Sequence, residues 1–330
     1  MKVLVTGATG FLGGALTRRL HGMDMQVTAL GRNPDALACL EQQQIKTVSA
    51  DLVETETIVD ACRGQEVVFH CGALSAPWGK PQDFYNANVI GTENIIRGCE
   101  ENRVKRLVHV STPSIYFGYE PRFNVREDAD LPQKPANEYA RTKHMAEMRV
   151  DEAFQRGLPV ITIRPRAIFG PGDKALLPRL MERLQKGDLR IIGSGKNLAD
   201  LSHIENVVDA LLLCAQASAH SLGKKYNITN GEQVILWDLI KRTATALGVP
   251  VPEKHIPYPV ADGVARIFET VYSLLPGQPE PPLTRYSVGI LAIGFTLDIS
   301  AARHDLGYRP RVSIQEGFDQ VVKCWKETHA

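Results

Sequence analysis

The chain has 330 residues, of which 44% are hydrophobic and 23% are charged, and its formal net charge is +1 at pH 7. This composition is that of a globular protein long enough to bury a large core and to form two lobes. The near-neutral charge excludes the strongly basic surface with which proteins bind nucleic acid, so no nucleic-acid partner is predicted.

The six cysteines are scattered and form no CxxC or Cys/His cluster at metal-ligand spacing. We therefore predict reduced thiols and no metal site. The N-terminal segment lacks the sustained apolar region of a signal peptide, and no apolar run has the length of a membrane span. Together these features predict a cytoplasmic protein.

Short apolar segments alternate with segments of helical periodicity through the first half of the chain. The predicted strands cover residues 2–6, 26–30, 46–50, 66–71, 106–111 and 159–165. The predicted helices cover residues 11–20, 83–99 and 138–154 and, later, 174–186, 205–216, 236–247, 260–274 and 314–327. Strands that alternate with helices predict an α/β fold with a doubly wound parallel sheet, whose ligand crevice lies at the carboxyl ends of the strands.

Gly7, Gly10 and Gly13 lie between the first predicted strand and the first predicted helix. Glycines in this position allow a tight turn and a close approach of a pyrophosphate to backbone amides at a helix N-terminus. A purely structural turn is the alternative, but the flanking strand and helix favour a dinucleotide site. We therefore assign residues 1–165, with return segments near 200–230, to a dinucleotide-binding domain. Residues 166–330 are assigned to a smaller, mostly helical and discontinuous substrate-binding lobe.

The end of the second strand distinguishes NAD sites from NADP sites, because an acid there accepts the ribose hydroxyls of NAD. Residues 30–33 are Leu-Gly-Arg-Asn, with no acid and with an arginine in its place. This pattern favours NADP(H), with Arg32 at the 2′-phosphate, while a solvated surface arginine is the alternative. Asp51 and Leu52 follow the third strand, where Asp51 is predicted either to contact the adenine or to cap the next helix.

Tyr139 and Lys143 lie four residues apart and so share one face of a predicted helix. A fixed ammonium lowers the pKa of a neighbouring phenol, which can then act as an acid near neutral pH. Ser111, Thr112 and Ser114 follow the fifth strand, where a hydroxyl can hold a carbonyl oxygen in line for hydride. With the glycine loop, these residues predict hydride transfer at a carbonyl or an alcohol, with Tyr139 as the proton donor in reduction. A surface pair of Tyr139 and Lys143 is the alternative.

This combination resembles the extended short-chain dehydrogenase/reductase family over most of the chain. The matching segments are TGATGFLGG, DL at 51–52, HCGA at 70–73, NVIGTENI at 88–95, STPSIYFG at 111–118, YARTK at 139–143 and RPRAIFGPGD at 164–173. The resemblance implies a Rossmann sheet and a homodimer formed through helix 83–99 and the helix of the catalytic tyrosine. Gly72 is a departure, because the family often has alanine there.

The resemblance also implies roles for single residues. Thr112 takes the place of the catalytic serine or threonine, and Asn88 that of the asparagine that supports the lysine or its proton-relay water. The residues expected to contact the cofactor are Gly7, Thr9, Gly10, Phe11, Leu12, Gly13, Arg32, Asp51, Leu52, Ala73, Tyr139, Lys143 and Pro165.

The segments after Arg164 are similar to the 3β-hydroxysteroid dehydrogenase branch of the family. APWGKPQDFYNANVIGTENII and PPLTRY look closer still to bacterial reductases of 2-alkyl-3-oxoalkanoates from olefin biosynthesis. The resemblance implies an apolar carboxylic acid as substrate, with an oxo or hydroxyl group β to the carboxylate. The candidate cations for that carboxylate are Arg166, Lys174, Arg179 and Arg285.

Two other functions stay open at this point. A nucleotide-sugar epimerase or dehydratase would use the same tyrosine and lysine but would retain a tightly bound NAD through turnover. A cofactor-sensing binding protein without turnover belongs to another class, and such proteins often lose the tyrosine or the lysine. This chain has both.

Residues 259–276 place Val264, Ile267, Phe268, Val271, Leu274 and Leu275 on one helical stripe. Asp262, Arg266 and Glu269 lie on the opposite side. Packing into the second lobe is the favoured explanation of such a stripe. A face toward lipid, a substrate tunnel or a pathway enzyme is the alternative, because an apolar acid must enter from a membrane or a partner.

Overall fold

A computed structural model describes residues 1–173 and 176–329 of the chain. The strands in this part are β1 (Lys2–Thr6), β2 (Gln26–Gly31), β3 (Lys46–Ser49), β4 (Val67–His70), β5 (Arg106–Val110), β6 (Arg122–Val125), β7 (Val160–Pro165), β8 (Ile168–Phe169), β9 (Ile191–Ile192), β10 (Leu198–Asp200), β11 (Ser202–His203), β12 (Lys225–Ile228), β13 (Gln233–Ile235), β14 (His255–Ile256) and β15 (Phe295–Leu297). The helices are α1 (Phe11–His21), α2 (Pro34–Gln42), α3 (Thr55–Ala61), α4 (Pro81–Tyr85), α5 (Gly91–Glu101), α6 (Glu138–Gln155), α7 (Leu176–Gln185), α8 (Ile204–Gln216), α9 (Leu236–Leu247), α10 (Tyr258–Leu274), α11 (Arg285–Ala292), α12 (Ser300–Leu306) and α13 (Ile314–His329).

Seven parallel strands form the central sheet in the order β12-β7-β5-β4-β1-β2-β3. All six strands predicted from the sequence belong to this sheet, and the predicted doubly wound α/β fold is confirmed. The strand order reverses on either side of β1, which creates a crevice at the carboxyl ends of β1 and β4. The seventh strand, β12, comes from the region near 200–230 and pairs in parallel with β7.

Helices cover both faces of the sheet, so its central strands are apolar on both sides. Side chains of β1 alternate between the two layers. Val3 and Val5 pack in the layer of α1 and α8, whereas Leu4 packs in the layer of α3, α5 and α6. This two-sided burial holds the ends of the strands, and the residues that follow them, in fixed positions.

The helix predicted at 83–99 is a continuous helical segment from α4 to α5 that is interrupted by one π-helical turn, Asn86–Ile90. Single π turns inside helices are frequent at functional sites. Asn88 lies in this turn and is buried. The sequence prediction missed the turn, because the apolar pattern on either side has ordinary helical periodicity.

The second lobe is mostly helical, as predicted, and is built from α7, α9, α10, α11 and α13. It also contains a four-stranded sheet, β13-β10-β15-β6, and the strand pairs β11-β8 and β14-β9. No helix in the described ranges combines the length and the apolarity that a membrane span requires.

The favoured explanation of the apolar stripe of α10 is wrong. Val264, Ile267, Val271 and Leu274 are exposed, with Leu274 82% exposed, whereas the buried residues of the helix are Ala261, Asp262 and Ala265. The helix therefore packs through its small and polar side and leaves its large apolar residues at the surface.

The polar side of α10 faces inward because it anchors the start of α11. Asp262 accepts hydrogen bonds from Arg266 and Arg285, each at 2.8 Å. Glu269 accepts a hydrogen bond of 2.7 Å from the backbone N–H of Arg285, in the first turn of α11. An acid at a helix N-terminus satisfies an otherwise unpaired donor and the helix dipole. These contacts explain why the polar side of α10 faces inward and its apolar stripe faces outward.

Candidate active site

The glycine loop after β1 closes tightly against the loop after β4. Gly7 has φ +66°, and a Cβ there would lie 2.7 Å from the Cα of Gly72. A Cβ on Gly13 would lie 2.3 Å from the carbonyl oxygen of Gly7. Both positions therefore require glycine.

The N-terminus of α1 offers its first amides to an anion. Gly10 is the N-cap and supplies no side-chain acceptor, and the first turn contains no acidic residue. Free N–H groups with a favourable dipole and glycine walls fit a pyrophosphate. Phe11 and Leu12 begin this helix and pack against the core of the sheet, which fixes its direction.

The side chain of Thr9 lies directly against Gly31 at the end of β2. A Cβ on Gly31 would lie 2.5 Å from the Cγ2 of Thr9, so no side chain fits there without a shift of Thr9. This packing is the physical reason for the missing acid that the sequence showed at this position. The adenosine end of the site must therefore be contacted by other residues.

Arg32 and Asp51 lie together beside this position. The Nη1 of Arg32 is 3.0 Å from the Oδ2 of Asp51, and the arginine side chain is 67% exposed. Helix α3 follows Glu54 as its N-cap, so Asp51 does not cap the helix, and its Oδ1 instead accepts the N–H of Val53 at 3.2 Å. Leu52 is fixed through its carbonyl oxygen, which accepts a hydrogen bond of 2.8 Å from Asn94.

Tyr139 stands in the first turn of α6 and faces the carboxyl ends of β4 and β5. The helix begins at an Asn137 cap, whose Oδ1 accepts the N–H of Ala140 at 2.8 Å. The Tyr139 side chain hydrogen-bonds with those of Ser75 and Thr112. The structure therefore brings together Thr112 and Tyr139, two residues that were predicted to be catalytic and that lie 27 residues apart in the sequence.

Lys143 is 1% exposed, one helical turn after Tyr139. Its Nζ lies 3.5 Å from the Nε2 of His109 on β5. Burial lowers the pKa of Lys143 to about 8, against the raising effect of the negative charge of Glu147. The ammonium is therefore held in a site from which water is largely excluded, where its charge acts strongly on its neighbours.

Two buried histidines line the base of this site. His70 hydrogen-bonds with Thr6 at 2.8 Å and with Thr92 at 3.1 Å. Burial, and then the charge of Lys143, lower the pKa of His70 to about 3. The same two causes, with burial the larger, hold the pKa of His109 well below its usual value. Both rings are neutral near pH 7, so they surround the lysine without adding positive charge.

The expectation that Lys143 lowers the pKa of Tyr139 is not met in this structure. Burial raises the pKa of the phenol, and the hydrogen bonds with Ser75 and Thr112 counteract it in part. The hydroxyl is therefore held in its protonated form near neutral pH.

Thr112 follows β5 and caps a short 3-10 turn, Pro113–Tyr116. Its hydroxyl donates to the Oγ of Ser114 at 3.0 Å, and it accepts the N–H of Ser114 at 3.2 Å. Ser111, the preceding residue, is buried on the side of Glu147, and its Oγ has no hydrogen-bond partner among the described residues. Of the three predicted hydroxyls, Thr112 and Ser114 therefore belong to the tyrosine side of the site.

Asn88 acts on the loop after β4. Its Oδ1 accepts the N–H of Leu74 at 2.7 Å, and its Nδ2 donates to the carbonyl oxygen of Leu74 at 3.1 Å and to Thr142 at 3.0 Å. The side chain thereby ties the loop of Ala73 and Ser75 to α6. Its predicted support of Lys143 stays a prediction, because the contacts above join it to other groups.

Ala73 is exposed in this loop, and Pro165 is buried at the end of β7. Both lie at the carboxyl edge of the sheet, as the cofactor prediction requires. The sequence reasoning missed three further residues of the site: Ser75, His109 and Tyr286. Ser75 follows the HCGA segment closely enough to have been considered, whereas His109 is hidden in an apolar strand. Tyr286 reaches the site from α11, and no local pattern marks it.

The four candidate cations have different surroundings. Arg179 is exposed and pairs with Glu280 at 2.9 Å. Arg285 pairs with Asp262, and its guanidinium carbon lies 4.8 Å from the centre of the Tyr119 ring. Arg166 is buried, and no acid among the described residues lies within ion-pair distance of it. Lys174 lies outside the described residues.

The comparisons with known proteins agree with this geometry. The model of the NAD dependent epimerase/dehydratase family matches residues 3–229. The chain is 38% identical to a 2-alkyl-3-oxoalkanoate reductase of Stenotrophomonas maltophilia (strain K279a), over 97% of this chain and 98% of the relative. It is 31% identical to the human sterol-4-alpha-carboxylate 3-dehydrogenase, decarboxylating, over 98% of this chain and 88% of the relative.

A solved structure, MoeE5 in complex with UDP-glucose and NAD, matches with a TM-score of 0.76 and 25% identity, and the match covers 100% of both chains. The family match spans the glycine loop, the tyrosine–lysine helix and the seven-stranded sheet. The chain therefore belongs to the NAD dependent epimerase/dehydratase family, the extended branch of the short-chain dehydrogenases/reductases.

Proposed function

We propose that the chain is an NADP(H)-dependent oxidoreductase that acts on a 3-oxo or 3-hydroxy group β to a carboxylate on a large apolar substrate. The observation that carries this proposal is the contact of Tyr139 with Thr112, beside the buried Lys143, at the carboxyl edge of a dinucleotide-binding sheet. The relatives named for 2-alkyl-3-oxoalkanoate reduction and sterol dehydrogenation support the substrate class, because they span nearly the whole chain.

A nicotinamide dinucleotide, when bound, supplies or accepts the hydride. The chain itself handles the proton and the orientation of the substrate. With substrate bound, the Thr112 hydroxyl would turn its proton from Ser114 to the carbonyl oxygen and hold the carbon in line. Tyr139 gives its phenolic proton to that oxygen, which turns the ketone and hydride into an alcohol. Lys143, one helical turn after Tyr139, would hold the nicotinamide ribose with its buried ammonium.

The state of Tyr139 favours the reductive direction. An acid must carry its proton before the reaction, and burial raises the pKa of this phenol. Oxidation of an alcohol would require the phenolate as the starting base. Reduction therefore starts from the prevailing form of the side chain.

The preference for NADP(H) rests on Arg32 and Gly31. An exposed guanidinium beside a position closed to an acid suits a 2′-phosphate. Asp51 lies 3.0 Å from Arg32 and orients it, and a phosphate would share the guanidinium with this carboxylate. MoeE5 was solved with NAD, so the dinucleotide class is common to both proteins, while the choice between the two is part of the proposal.

The epimerase alternative has weaker support. MoeE5 and the UDP-glucuronic acid 4-epimerase of Bacillus cereus are 25% and 22% identical to this chain, whereas the reductase relative is 38% identical over 97% of it. The cofactor-sensing alternative conflicts with the tyrosine and threonine in hydrogen-bonded contact. The ketone-panel experiment at the end of this subsection tests both alternatives.

The apolar surface of α10 supports a contact with lipid. Ile267 and Leu274 are 65% and 82% exposed, and exposed apolar patches mark interaction surfaces. The Nε1 of Trp78, in the loop that carries Ser75, donates to the carbonyl oxygen of Gln278 just beyond α10 at 3.1 Å. The apolar stripe thus ends beside the active-site loop, where an apolar acid would enter from a membrane.

Sedimentation with phosphatidylcholine vesicles tests this contact. We expect the double variant Ile267→Ser/Leu274→Ser to lose vesicle binding and turnover of long-chain acids, with turnover of short-chain acids kept. Met23→Ser, at another exposed apolar residue, is the matched control. Unchanged sedimentation of the double variant would reject the lipid contact and leave a pathway enzyme as the occupant of the stripe.

The homodimer through the helical segment 83–99 and α6, and the cytoplasmic location, stay predictions. Light scattering on the purified protein measures the oligomeric state directly. In this structure the outer faces of α5 and α6 are joined by ion pairs, such as that of Glu93 with Arg149 at 2.8 Å.

The experiment that tests the proposed function follows the oxidation of NADPH and of NADH with a panel of ketones. The panel contains 2-alkyl-3-oxo acids, a 3-keto steroid and a UDP-sugar. We expect turnover of the apolar 3-oxo acids, with NADPH preferred. No turnover of any ketone, together with NAD released only on denaturation, would support the epimerase. No turnover and no bound NAD would support a sensing protein.

A further inference from the structure

Arg166 is a buried guanidinium with no acidic partner among the described residues. It directly follows β7 and is 6% exposed, and its guanidinium carbon lies 4.9 Å from the centre of the Phe295 ring. Within the described ranges no carboxylate comes within 4.0 Å of it, and its buried Nε has no hydrogen-bond partner. A buried cation in this state is costly, and none of the described residues supplies the anion that would neutralise it.

Arg164, two residues earlier, has a carboxylate partner, whereas Arg166 has none among the described residues. Two residues earlier on the same strand, Arg164 donates to both carboxylate oxygens of Glu147, at 2.8 and 2.5 Å. Asp200 lies near enough to act on Arg166 through its charge, but its Oδ2 is occupied by the N–H of Leu297 at 2.6 Å. The chain therefore neutralises one arginine of the pair and not the other.

Hydroxyl groups connect Arg166 with the catalytic tyrosine. Arg166 hydrogen-bonds with the side chain of Tyr286, whose Oη lies 2.7 Å from the Oγ of Ser114. Ser114 accepts a hydrogen bond of 3.0 Å from Thr112, and Thr112 hydrogen-bonds with Tyr139. A chain of polar side chains therefore runs from the guanidinium of Arg166 to the predicted proton donor, Tyr139.

We propose that Arg166 and Tyr286 bind the carboxylate of the substrate while Thr112 and Tyr139 hold its ketone oxygen. This inference rests on the proposed function, because it assigns the acid group of that substrate. In a 3-oxo acid a single carbon separates the ketone from the carboxyl carbon, so both oxygen groups must be held in one small region. The hydroxyls of Thr112 and Tyr286 satisfy this condition, because both contact Ser114.

The arrangement gives the carboxylate a role in specificity. A planar guanidinium binds a carboxylate through parallel hydrogen bonds and so fixes its orientation as well as its position. A neutral ketone of the same size would leave the buried cation without a partner, which a polar site rejects strongly. Tyr286 belongs to α11, whose start is anchored by Asp262 and Glu269 of α10, so the second lobe supplies this part of the site.

The test compares a freshly prepared 2-alkyl-3-oxo acid with its methyl ester in NADPH oxidation. For the wild-type protein we expect a KM for the acid that is at least about 10-fold lower than that for the ester. In Arg166→Gln the KM for the acid should rise about 100-fold, while kcat/KM for the ester should not fall, because the variant has no buried cation to leave unpaired. Arg166→Lys should recover part of the affinity for the acid, because lysine has the positive charge but cannot form the two parallel hydrogen bonds of a guanidinium.

Two further variants distinguish a loss of carboxylate binding from an effect of Arg166→Gln on folding. Tyr286→Phe removes one hydroxyl from an aromatic position and should raise the KM for the acid about 10-fold, again without effect on the ester. Arg179→Gln, at an exposed arginine, should change the kinetic constants for neither the acid nor the ester. Equal losses on acid and ester in Arg166→Gln and Tyr286→Phe would overturn the proposal and show a structural role.

Two results on the wild-type protein separate this inference from the proposed function. If acid and ester are reduced equally well, the carboxylate is not recognised, and the inference fails while the proposed function stands. If neither is reduced and a UDP-sugar is converted, the proposed function itself fails, and Arg166 would then belong to a phosphate site.

Discussion

The carboxylate of Glu147 accepts two hydrogen bonds from the guanidinium of Arg164, one helical turn beyond Lys143 on α6. The two side chains are 2% and 5% exposed. The charge of Glu147 also raises the pKa of Lys143 against the lowering effect of burial. A single buried ion pair therefore joins α6 to β7 and helps to keep the active-site lysine charged.

We predict that Glu147→Gln destabilises the protein by about 3–5 kcal/mol, because it leaves Arg164 buried and without its counter-ion. Urea denaturation followed by circular dichroism measures the change. Glu152→Gln is the matched control on the same helix, since Glu152 is 47% exposed and pairs with Arg149 at the surface. Its cost should stay below about 1 kcal/mol, and an equal cost in both variants would contradict the role of burial.

Activity should fall as the pH rises through about 8. Burial lowers the pKa of Lys143 to about that value, and above it the lysine loses the positive charge that would attract the anionic dinucleotide. The pH profile of kcat/KM measures this limb. Lys143→Arg keeps the charge and should move the limb to higher pH, with a lower maximum. A limb that stays at the same pH in this variant would assign it to another group.

The same shift has the opposite effect on stability. A base whose folded pKa is lowered binds fewer protons in the folded than in the unfolded chain between about 8 and its ordinary value near 10.4. The contribution of Lys143 to stability therefore rises with pH in this window, while activity falls. An activity loss at pH 9 without a fall in melting temperature would separate titration from unfolding.

Acid should destabilise the protein through His70 and His109. Burial lowers the pKa of His70 to about 3 and that of His109 well below its usual value. Between pH 6.5 and about 3 the unfolded chain therefore binds protons that the folded chain does not, and stability falls as the pH falls. Each histidine contributes a slope of about 1.4 kcal/mol per pH unit once the pH is well below 6.5.

The slope of unfolding free energy against pH, from urea titrations between pH 7 and 5, measures this effect. His70→Gln should make the slope shallower even if it lowers stability at pH 7. His304→Gln, at a histidine whose side chain is 85% exposed, is the control and should leave the slope unchanged. Equal slopes in wild type and His70→Gln would contradict the prediction.

Tyr139→Phe should lower kcat for the ketone by about 100- to 10,000-fold, because it removes the proton donor. The affinity for the dinucleotide should change little, since the ring and Lys143 stay in place. Fluorescence titration with NADPH, next to turnover of the 3-oxo acid, measures both quantities. Tyr272→Phe on α10 is the control. A parallel loss of binding and turnover would instead indicate a structural role for the phenol.

Arg32→Ala should weaken NADPH binding about 10- to 100-fold and leave NADH binding within about two-fold. The reason is that only NADPH carries the 2′-phosphate that the guanidinium would bind, beside its ion pair with Asp51. Arg63→Ala removes another exposed arginine in a surface ion pair and should affect neither dinucleotide. Equal weakening of NADPH and NADH binding would remove Arg32 from the phosphate site.

The sequence by itself determined the sheet and singled out Tyr139 and Lys143 as the pair predicted to be catalytic. Alternating apolar and helical segments fixed the six strands at residues 2–165, because both periodicities are local properties. The spacing of Tyr139 and Lys143 and the order of the glycine loop and the hydroxyl residues carried the family assignment. The helix predicted from residue 138 does begin at Glu138, directly after the Asn137 cap.

The tertiary structure alone decided how charges and hydroxyls from distant segments meet. The apolar stripe of α10 predicted burial, yet Asp262 and Glu269 turn the polar side inward because they satisfy the start of α11. Tyr286 reaches Ser114 across 172 residues, and no local pattern encodes that contact. Burial likewise raises the pKa of Tyr139 where the sequence predicted a decrease. Packing determines desolvation and partner choice, and both depend on residues that are far apart in the chain.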